Sequence, residues 1–157
     1  MKKMNKKGFT LIELLAIIVI LAIIAVITVP IILNIIDEAR KGAEKNSVIG
    51  YGKAVELAYT QYQYENSLNP GGTNSHVSDD PLADGKSISI TIGTTAVNLK
   101  VDFDGDKVVC TEDATHKNTI TNGIIKLQNC TVNTNTTTTY SYEGGKATTP
   151  SATTPAG

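Results

Sequence analysis

Residues 7–36 decide the fold, and they read KGFTLIELLAIIVILAIIAVITVPIILNII. After the leading lysine, Glu13 is the only charged side chain before Asp37. The segment 14–36 is apolar with three exceptions, which are Thr28, Pro30 and Asn34. A helix of this length, rising 1.5 Å per residue, covers a hydrocarbon core of about 30 Å. The pattern predicts a membrane-spanning helix with one carboxylate at its mouth, where a charge is costly and requires a functional explanation.

The residues around that carboxylate resemble a known family. Gly8-Phe9-Thr10-Leu11-Ile12-Glu13 follows a lysine-rich start and precedes a long run of Leu, Ile, Val and Ala. This order is similar to the class III signal peptide of type IV pilins and of their relatives, the pseudopilins. The resemblance implies cleavage between Gly8 and Phe9 on the cytoplasmic side, N-methylation of the new amino-terminal Phe9, and a role for Glu13 in assembly.

The lysines also indicate the orientation of the span. Positive charge before an apolar helix holds that end in the cytoplasm, so we expect the chain after residue 36 to lie outside. An ordinary secretory signal is the alternative. The apolar run is too long for one, however, and no small-x-small cleavage site closes it.

Helical periodicity continues beyond the span, because Val48, Tyr51, Val55, Ala58 and Tyr62 recur at steps of three and four. The pattern predicts one helix from about residue 9 to about residue 64, with a kink or local melting at Pro30. The resulting segments are a leader (1–8), a membrane and filament-core helix (9–36), the outer half of the helix (37–66), a sheet domain (67–145) and a flexible tail (146–157).

Alternating patterns after the helix predict strands at 88–92, 97–103, 107–110, 124–127 and 136–142. Gly93-Thr94-Thr95 joins the first two, and Asp104-Gly105 turns the second into the third. The fold class expected is α+β, in which an antiparallel sheet of four or five strands covers the second half of the long helix. This is also the fold that the resemblance to pilins implies.

Two cysteines, Cys110 and Cys130, lie in the part expected outside the cytoplasm, where disulfides persist. A disulfide between them is the prediction, and a pair of buried thiols is the alternative. His116 lies between them, but one histidine and two cysteines are one ligand short of a closed zinc site. We expect no metal and no cofactor.

Other motifs have plainer explanations. Asp102-Phe103-Asp104-Gly105-Asp106 resembles the start of a calcium loop, but Lys107 replaces the required glycine, so a hairpin turn is favoured. Asn129-Cys130-Thr131 and Asn135-Thr136-Thr137 match the glycosylation pattern only weakly. The tyrosines of the outer helix, which are Tyr51, Tyr59, Tyr62 and Tyr64, include two at core positions, 51 and 62.

Charge and motif content exclude several functions. Removal of residues 1–8 takes four lysines away and leaves ten basic and 15 acidic side chains, a net charge of −5. Nucleic-acid binding needs a concentrated basic patch, and the sequence has none. It also lacks a nucleophile with a nearby base and a phosphate loop, so we expect no enzyme.

The resemblance therefore implies a type IV pilin, held in the cytoplasmic membrane by one span and then extracted into a helical homopolymer on the cell surface. The partners it implies are the prepilin peptidase and methyltransferase, an assembly platform and a motor ATPase. A pseudopilin of a secretion or competence system is the alternative. A membrane-anchored binding domain that never assembles would have no use for Gly8-Phe9 or Glu13.

Overall fold

The structure is a computed structural model, and it describes residues 9–78, 86–133 and 135–149. Within these residues, one helix and seven strands follow in chain order. The chain divides into two compact units, one ending at Lys41 and the other beginning at Gly42, and helix α1 (Leu11–Leu68) contributes to both. The leader 1–8 and the residues 150–157 of the expected tail lie outside the described residues.

In the first unit, α1 is apolar and its side chains are exposed. From Leu11 to Ile36 every side chain is exposed except Thr28, which is half-buried and donates a 2.7 Å hydrogen bond to the carbonyl of Ile24. The helix runs unbroken through Pro30. Local melting at this proline was one expectation and is not observed, whereas the kink stays a prediction.

In the second unit, α1 ends just before the turn-forming residues Asn69-Pro70-Gly71. The helix extends to Leu68, a few residues beyond the predicted end, and the amide of Asn69 still donates to the carbonyl of Glu65 at 2.9 Å. Gly71 then adopts a φ of 79°, a conformation that glycine reaches without strain. The helix therefore ends where Asn69-Pro70-Gly71 predicted a turn.

The sheet has seven strands in the order β2-β1-β4-β5-β6-β7, and β3 pairs with β5 off this path. The strands are β1 (Ser87–Ile92), β2 (Thr95–Lys100), β3 (Val108–Cys110), β4 (Thr119–Thr121), β5 (Ile124–Val132), β6 (Asn135–Glu143) and β7 (Lys146–Thr148). The α+β class is confirmed. The expected count of four or five strands is too low, and the sheet is not wholly antiparallel, because β1 and β4 run parallel.

The expected hairpin between β2 and β3 does not form. Strand β2 ends at Lys100, and β3 pairs with β5 instead, with Cys110 opposite Cys130. The segment between β2 and β3 contacts the helix, because the ring of Phe103 packs edge-on against Tyr51, with ring centroids 5.6 Å apart. Burial of this aromatic ring against α1 outweighs the local turn preference of Asp104-Gly105.

The sheet also extends past its predicted boundary at residue 145. Gly144 and Gly145 have φ of 53° and 85°, which is the two-residue turn that matches the twist of a hairpin. Strand β7 returns along β6, and its Ala147 is buried. Residues 146–148 are therefore sheet and not tail. Pro150, which lacks an amide donor, follows shortly afterwards.

The core lies between the sheet and the outer part of α1, and it confirms the helical face predicted from the sequence. The buried helix residues are Glu44, Val48, Tyr51, Gly52, Val55 and Ala58. They pack with buried strand residues such as Ile90, Leu127 and Tyr142. A Cβ at Gly52 would lie 2.6 Å from the Tyr142 ring, so this close approach requires glycine.

Candidate functional site

The start of helix α1 is organised by Thr10 and Glu13. Both the amide and the hydroxyl of Thr10 donate to Oε2 of Glu13, at 2.8 Å and 2.7 Å. The amide of Glu13 in turn donates to the Thr10 hydroxyl at 3.4 Å. Thr10 immediately precedes the helix, so this reciprocal pair is a capping box, which satisfies amides that the first turn leaves without helical partners.

The capping box uses only one carboxylate oxygen. All side-chain hydrogen bonds described for Glu13 within residues 9–78, 86–133 and 135–149 involve Oε2, and Oε1 has none there. The sequence pattern indicated a role for Glu13, whereas the role of Thr10 was not predicted. The signal was present, since a threonine three residues before a glutamate, followed by an apolar run, is the sequence signature of a capped helix.

The residues at the amino-terminal side of this capping box lie outside the helix. Phe9 and Thr10 precede α1, and the Phe9 side chain is 84% exposed. Gly8, on the other side of the predicted cleavage point, lies outside the described residues. Beyond the cap, α1 is long and apolar enough to cross a membrane by its length and composition.

A non-helical residue, a capped helix start, one carboxylate and a span-length apolar run therefore occur together. Residues 3–29 match the family model described as the prokaryotic N-terminal methylation motif. The chain carries this methylation motif. The motif matches the class III signal peptide of type IV pilin-like proteins. No curated protein and no solved structure is significantly similar to the chain.

Within the second unit, the predicted cysteine pair forms a disulfide between neighbouring strands. Cys110 on β3 and Cys130 on β5 are directly opposite and are both buried. The carbonyl of Cys110 accepts a 3.3 Å hydrogen bond from the side chain of the buried Asn118. The disulfide therefore joins β3 to β5. It lies beside the side chain of Asn118, which also contacts β1 and β5.

The acidic loop after β2 is a structural junction. Oδ2 of Asp106 accepts from the Ser47 hydroxyl at 2.6 Å, and Oδ1 accepts from the Asn133 side chain at 2.9 Å. These hydrogen bonds lower the pKa of Asp106, with Ser47 contributing most. Among the described residues, no group of three or more His, Cys, Asp or Glu side chains is placed to hold a metal ion.

His116 does not approach the cysteines as a ligand. Its Nδ1 lies 2.8 Å from Oδ2 of Asp113 within one turn. The hydrogen bond to His116, followed by those from Thr115, holds the pKa of Asp113 well below its ordinary value. This pair closes a local loop.

Two tyrosines of β6 donate hydrogen bonds from their hydroxyls to carboxylates of the helix, one in a buried and one in a partly buried site. Tyr140 donates to Glu44 and Tyr142 donates to Glu56. The pKa of both tyrosines is raised to about 12. Burial is the largest cause, and these hydrogen bonds to carboxylates are the next. Burial alone raises the pKa of Tyr51, which is confirmed as a core residue.

The other helix tyrosines differ in burial. Tyr62, like the unexpected Tyr59, is partly buried against the core, and Tyr64 is exposed. Tyr51 is thus a core residue, as the sequence pattern predicts, whereas Tyr62 is less buried than expected.

The segment after the helix covers the free edge of β2 and is tied to the helix. Val77 bridges to Leu99, and the amide of Ser78 donates to the carbonyl of Asn98 at 2.8 Å. Oε2 of Glu65 accepts from the amide of Ser75 and from Nδ1 of His76, both at 2.9 Å. His76 is the main reason that the pKa of Glu65 is lowered.

Proposed function

We propose that this chain is the structural subunit of a type IV pilus, matured by cleavage and N-methylation and then polymerised into a surface filament. The observation that carries the proposal is the methylation motif over residues 3–29, which coincides with the start of a capped helix that is exposed and apolar there apart from Glu13, Thr28 and their hydrogen bonds. The subunit supplies binding surface and packing surface. Adhesion, motility and DNA uptake are the activities that such filaments serve.

Maturation is supported by the local structure at Phe9. A peptidase needs access to a backbone that is not helical, and Phe9 and Thr10 lie before the first helical residue. Cleavage after Gly8 would leave the helix cap intact, because the hydrogen bonds of the cap join Thr10 and Glu13 only. The new amine of Phe9 would then be methylated by the same processing system.

The proposal that Glu13 acts in assembly is supported by the hydrogen bonds of its carboxylate. In lipid, the Thr10 donors satisfy one of its oxygens, which makes the carboxylate tolerable at the mouth of the span. We propose that Oε1 accepts a hydrogen bond from the Phe9 amine of a neighbouring subunit as the subunits stack. In a medium of low dielectric, this pair would set register more than it adds net stability.

Extraction of an apolar helix from lipid requires work. The side chains from Leu11 to Ile27 are all exposed within the described structure, so each loses its lipid contacts on leaving the membrane. A motor ATPase and a platform protein are therefore the partners we propose, with a second copy of the chain covering the apolar surface in the filament.

The test has two parts, done on cells that express the full chain. Mass spectrometry of surface-exposed protein is expected to find an N-methylated Phe9 as the first residue, and electron microscopy is expected to find long filaments that label with antibody to the sheet domain. Processed protein without long filaments would favour a pseudopilin. An intact leader on surface-exposed protein would overturn the proposal.

A further inference from the structure

The turn between β4 and β5 contains a reactive dipeptide. Asn122 and Gly123 form its two residues, with φ of 53° and 77°, and both are exposed. Asn122 is the only asparagine in the sequence that is followed by glycine. A glycine after asparagine leaves the backbone nitrogen unhindered, because no side chain shields its approach to the asparagine amide carbon.

Within the described residues, the side-chain amide of Asn122 also makes no hydrogen bond, unlike the side chains of three nearby asparagines. By contrast, Asn118 bonds to the carbonyls of Ser89 and Cys110, and Asn133 bonds to Asp106. Asn129 bonds to Thr111. Exposure, the following glycine and a side-chain amide without a described hydrogen bond coincide at one position only.

We propose that Asn122-Gly123 is a self-modification site at which the chain deamidates without an enzyme. When the turn opens, the backbone nitrogen of Gly123 attacks Cγ of Asn122 and forms a new N–C bond. The Cγ–Nδ2 bond breaks, and Nδ2 leaves as ammonia with the proton of the Gly123 amide. Water then opens the ring at either carbonyl, which yields aspartate or isoaspartate.

The position of this turn makes the reaction consequential for the sheet. Strand β4 is only three residues long, yet it pairs with β1 through Thr91↔Thr119 and Ile92↔Ile120, and with β5 at all three residues. Among the described strands, β4 alone pairs with both the β1–β2 hairpin and β5. Isoaspartate routes the main chain through Cβ and Cγ, which lengthens the two-residue turn and shifts the register of β4.

Either product also adds a negative charge. Asn122 lines a shallow depression with Lys126 and Glu143, whose Nζ and Oε2 are 3.8 Å apart. A carboxylate at position 122 competes with Glu143 for this lysine. The modification therefore weakens the joint between the two parts of the sheet and changes its surface charge as the protein ages.

The experiment is prolonged incubation of the purified, processed full chain in detergent at mildly alkaline pH, followed by digestion and mass spectrometry. The expected result is that Asn122 gains the mass of an amide-to-acid exchange before any other asparagine, with isoaspartate among the products. The mass gain separates this reaction from isomerisation of Asp104-Gly105. Deamidation elsewhere first, or no deamidation of Asn122, would overturn the site.

Asn122→Gly is the matched control, because glycine keeps the positive φ of the turn and carries no amide. Hydrogen exchange of the Ile120 and Thr91 amides is expected to accelerate by about tenfold or more in the aged wild type and to stay constant in aged Asn122→Gly. Freshly prepared Asn122→Asp, which adds the charge before any isoaspartate can form, should show a smaller increase than the aged wild type. Equal exchange in the aged wild type and the aged control would overturn the structural consequence.

Discussion

The hydroxyl of Tyr140 on β6 donates a 2.8 Å hydrogen bond to Oε2 of Glu44, which lies 96 residues earlier on helix α1. Glu44 is the first buried residue of the helix in the sheet-containing unit, and only 8% of it is exposed. A buried carboxylate is costly unless donors satisfy it. This contact therefore helps to decide where on the helix the sheet begins to pack.

Tyr140→Phe should lower the free energy of unfolding of the sheet-containing unit by about 2 kcal/mol, because a bond to a charged group is lost from a buried site. Tyr142→Phe is the matched control, since its partner Glu56 is only partly buried and water can replace the hydroxyl. Urea unfolding followed by near-ultraviolet circular dichroism measures both. Equal losses would contradict the role of burial.

Gly52→Ala should destabilise the packing of helix on sheet, because its Cβ would lie 2.6 Å from the ring of Tyr142. The cost expected for such overpacking is about 1–3 kcal/mol. Gly42→Ala is the control, since a Cβ there meets nothing within 4 Å and alanine favours a helix. Thermal unfolding should show opposite shifts. A neutral Gly52→Ala would mean that Tyr142 moves aside freely.

Replacement of both Cys110 and Cys130 by serine should cost about 3 kcal/mol in the chain-entropy description of loop closure. The near-ultraviolet signal of the sheet should weaken while the helical far-ultraviolet signal remains. Thiol labelling of the wild-type protein, unfolded without reductant, should find neither cysteine reactive. Two labelled thiols under those conditions would show that the bond does not form in the cell.

Alkaline pH should loosen the sheet from the helix. Because the pKa of Tyr140 and of Tyr142 is about 12 in the folded chain, above the ordinary value of 10.0, the folded state holds these protons more tightly. The resulting stability is present below pH 10 and is lost as the pH rises towards 12. Tyrosine absorbance and circular dichroism should change together in that window. Ionisation complete near pH 10 in the folded protein would disprove the shift.

Variants at the helix start separate charge from capping. Glu13→Gln keeps an acceptor for Thr10, because glutamine also completes a capping box, but it removes the charge. Glu13→Ala removes both. If charge guides assembly, both variants should insert and be cleaved after Gly8 yet form few filaments. Filament yield relative to processed membrane-held subunit is the measurement. Normal yield from Glu13→Gln would mean that capping, and not charge, explains this glutamate.

Much of this architecture could be predicted because it depends on neighbours in sequence. Helix α1, the turn at Asn69-Pro70-Gly71 and the β1–β2 hairpin follow from local periodicity and from glycine and proline. The pairing of β3 with β5 and the parallel alignment of β1 with β4 could not be predicted. Periodicity identifies which side of a strand is apolar, but it contains no information about which strand lies beside it.

The candidate site was predicted in part for the same reason. The contact between Thr10 and Glu13 is local, and its signature was present although it was overlooked. The hydrogen bond that joins Asp106 to Ser47 depends on the path of the loop after β2, in which Phe103 packs on Tyr51. The hydrogen bond that joins Tyr140 to Glu44 depends on which part of the helix lies beside β6. No short-range pattern specifies either.

The buried part of α1 is confined to residues 44–58, and every strand follows it in sequence. A polypeptide begun at Gly42 would thus contain all the buried side chains described, together with the disulfide, and would lack the apolar span. Such a truncation should yield a water-soluble antigen that folds independently of lipid. The exterior of this portion can likewise vary in sequence without any change to residues 3–29, which carry the methylation motif.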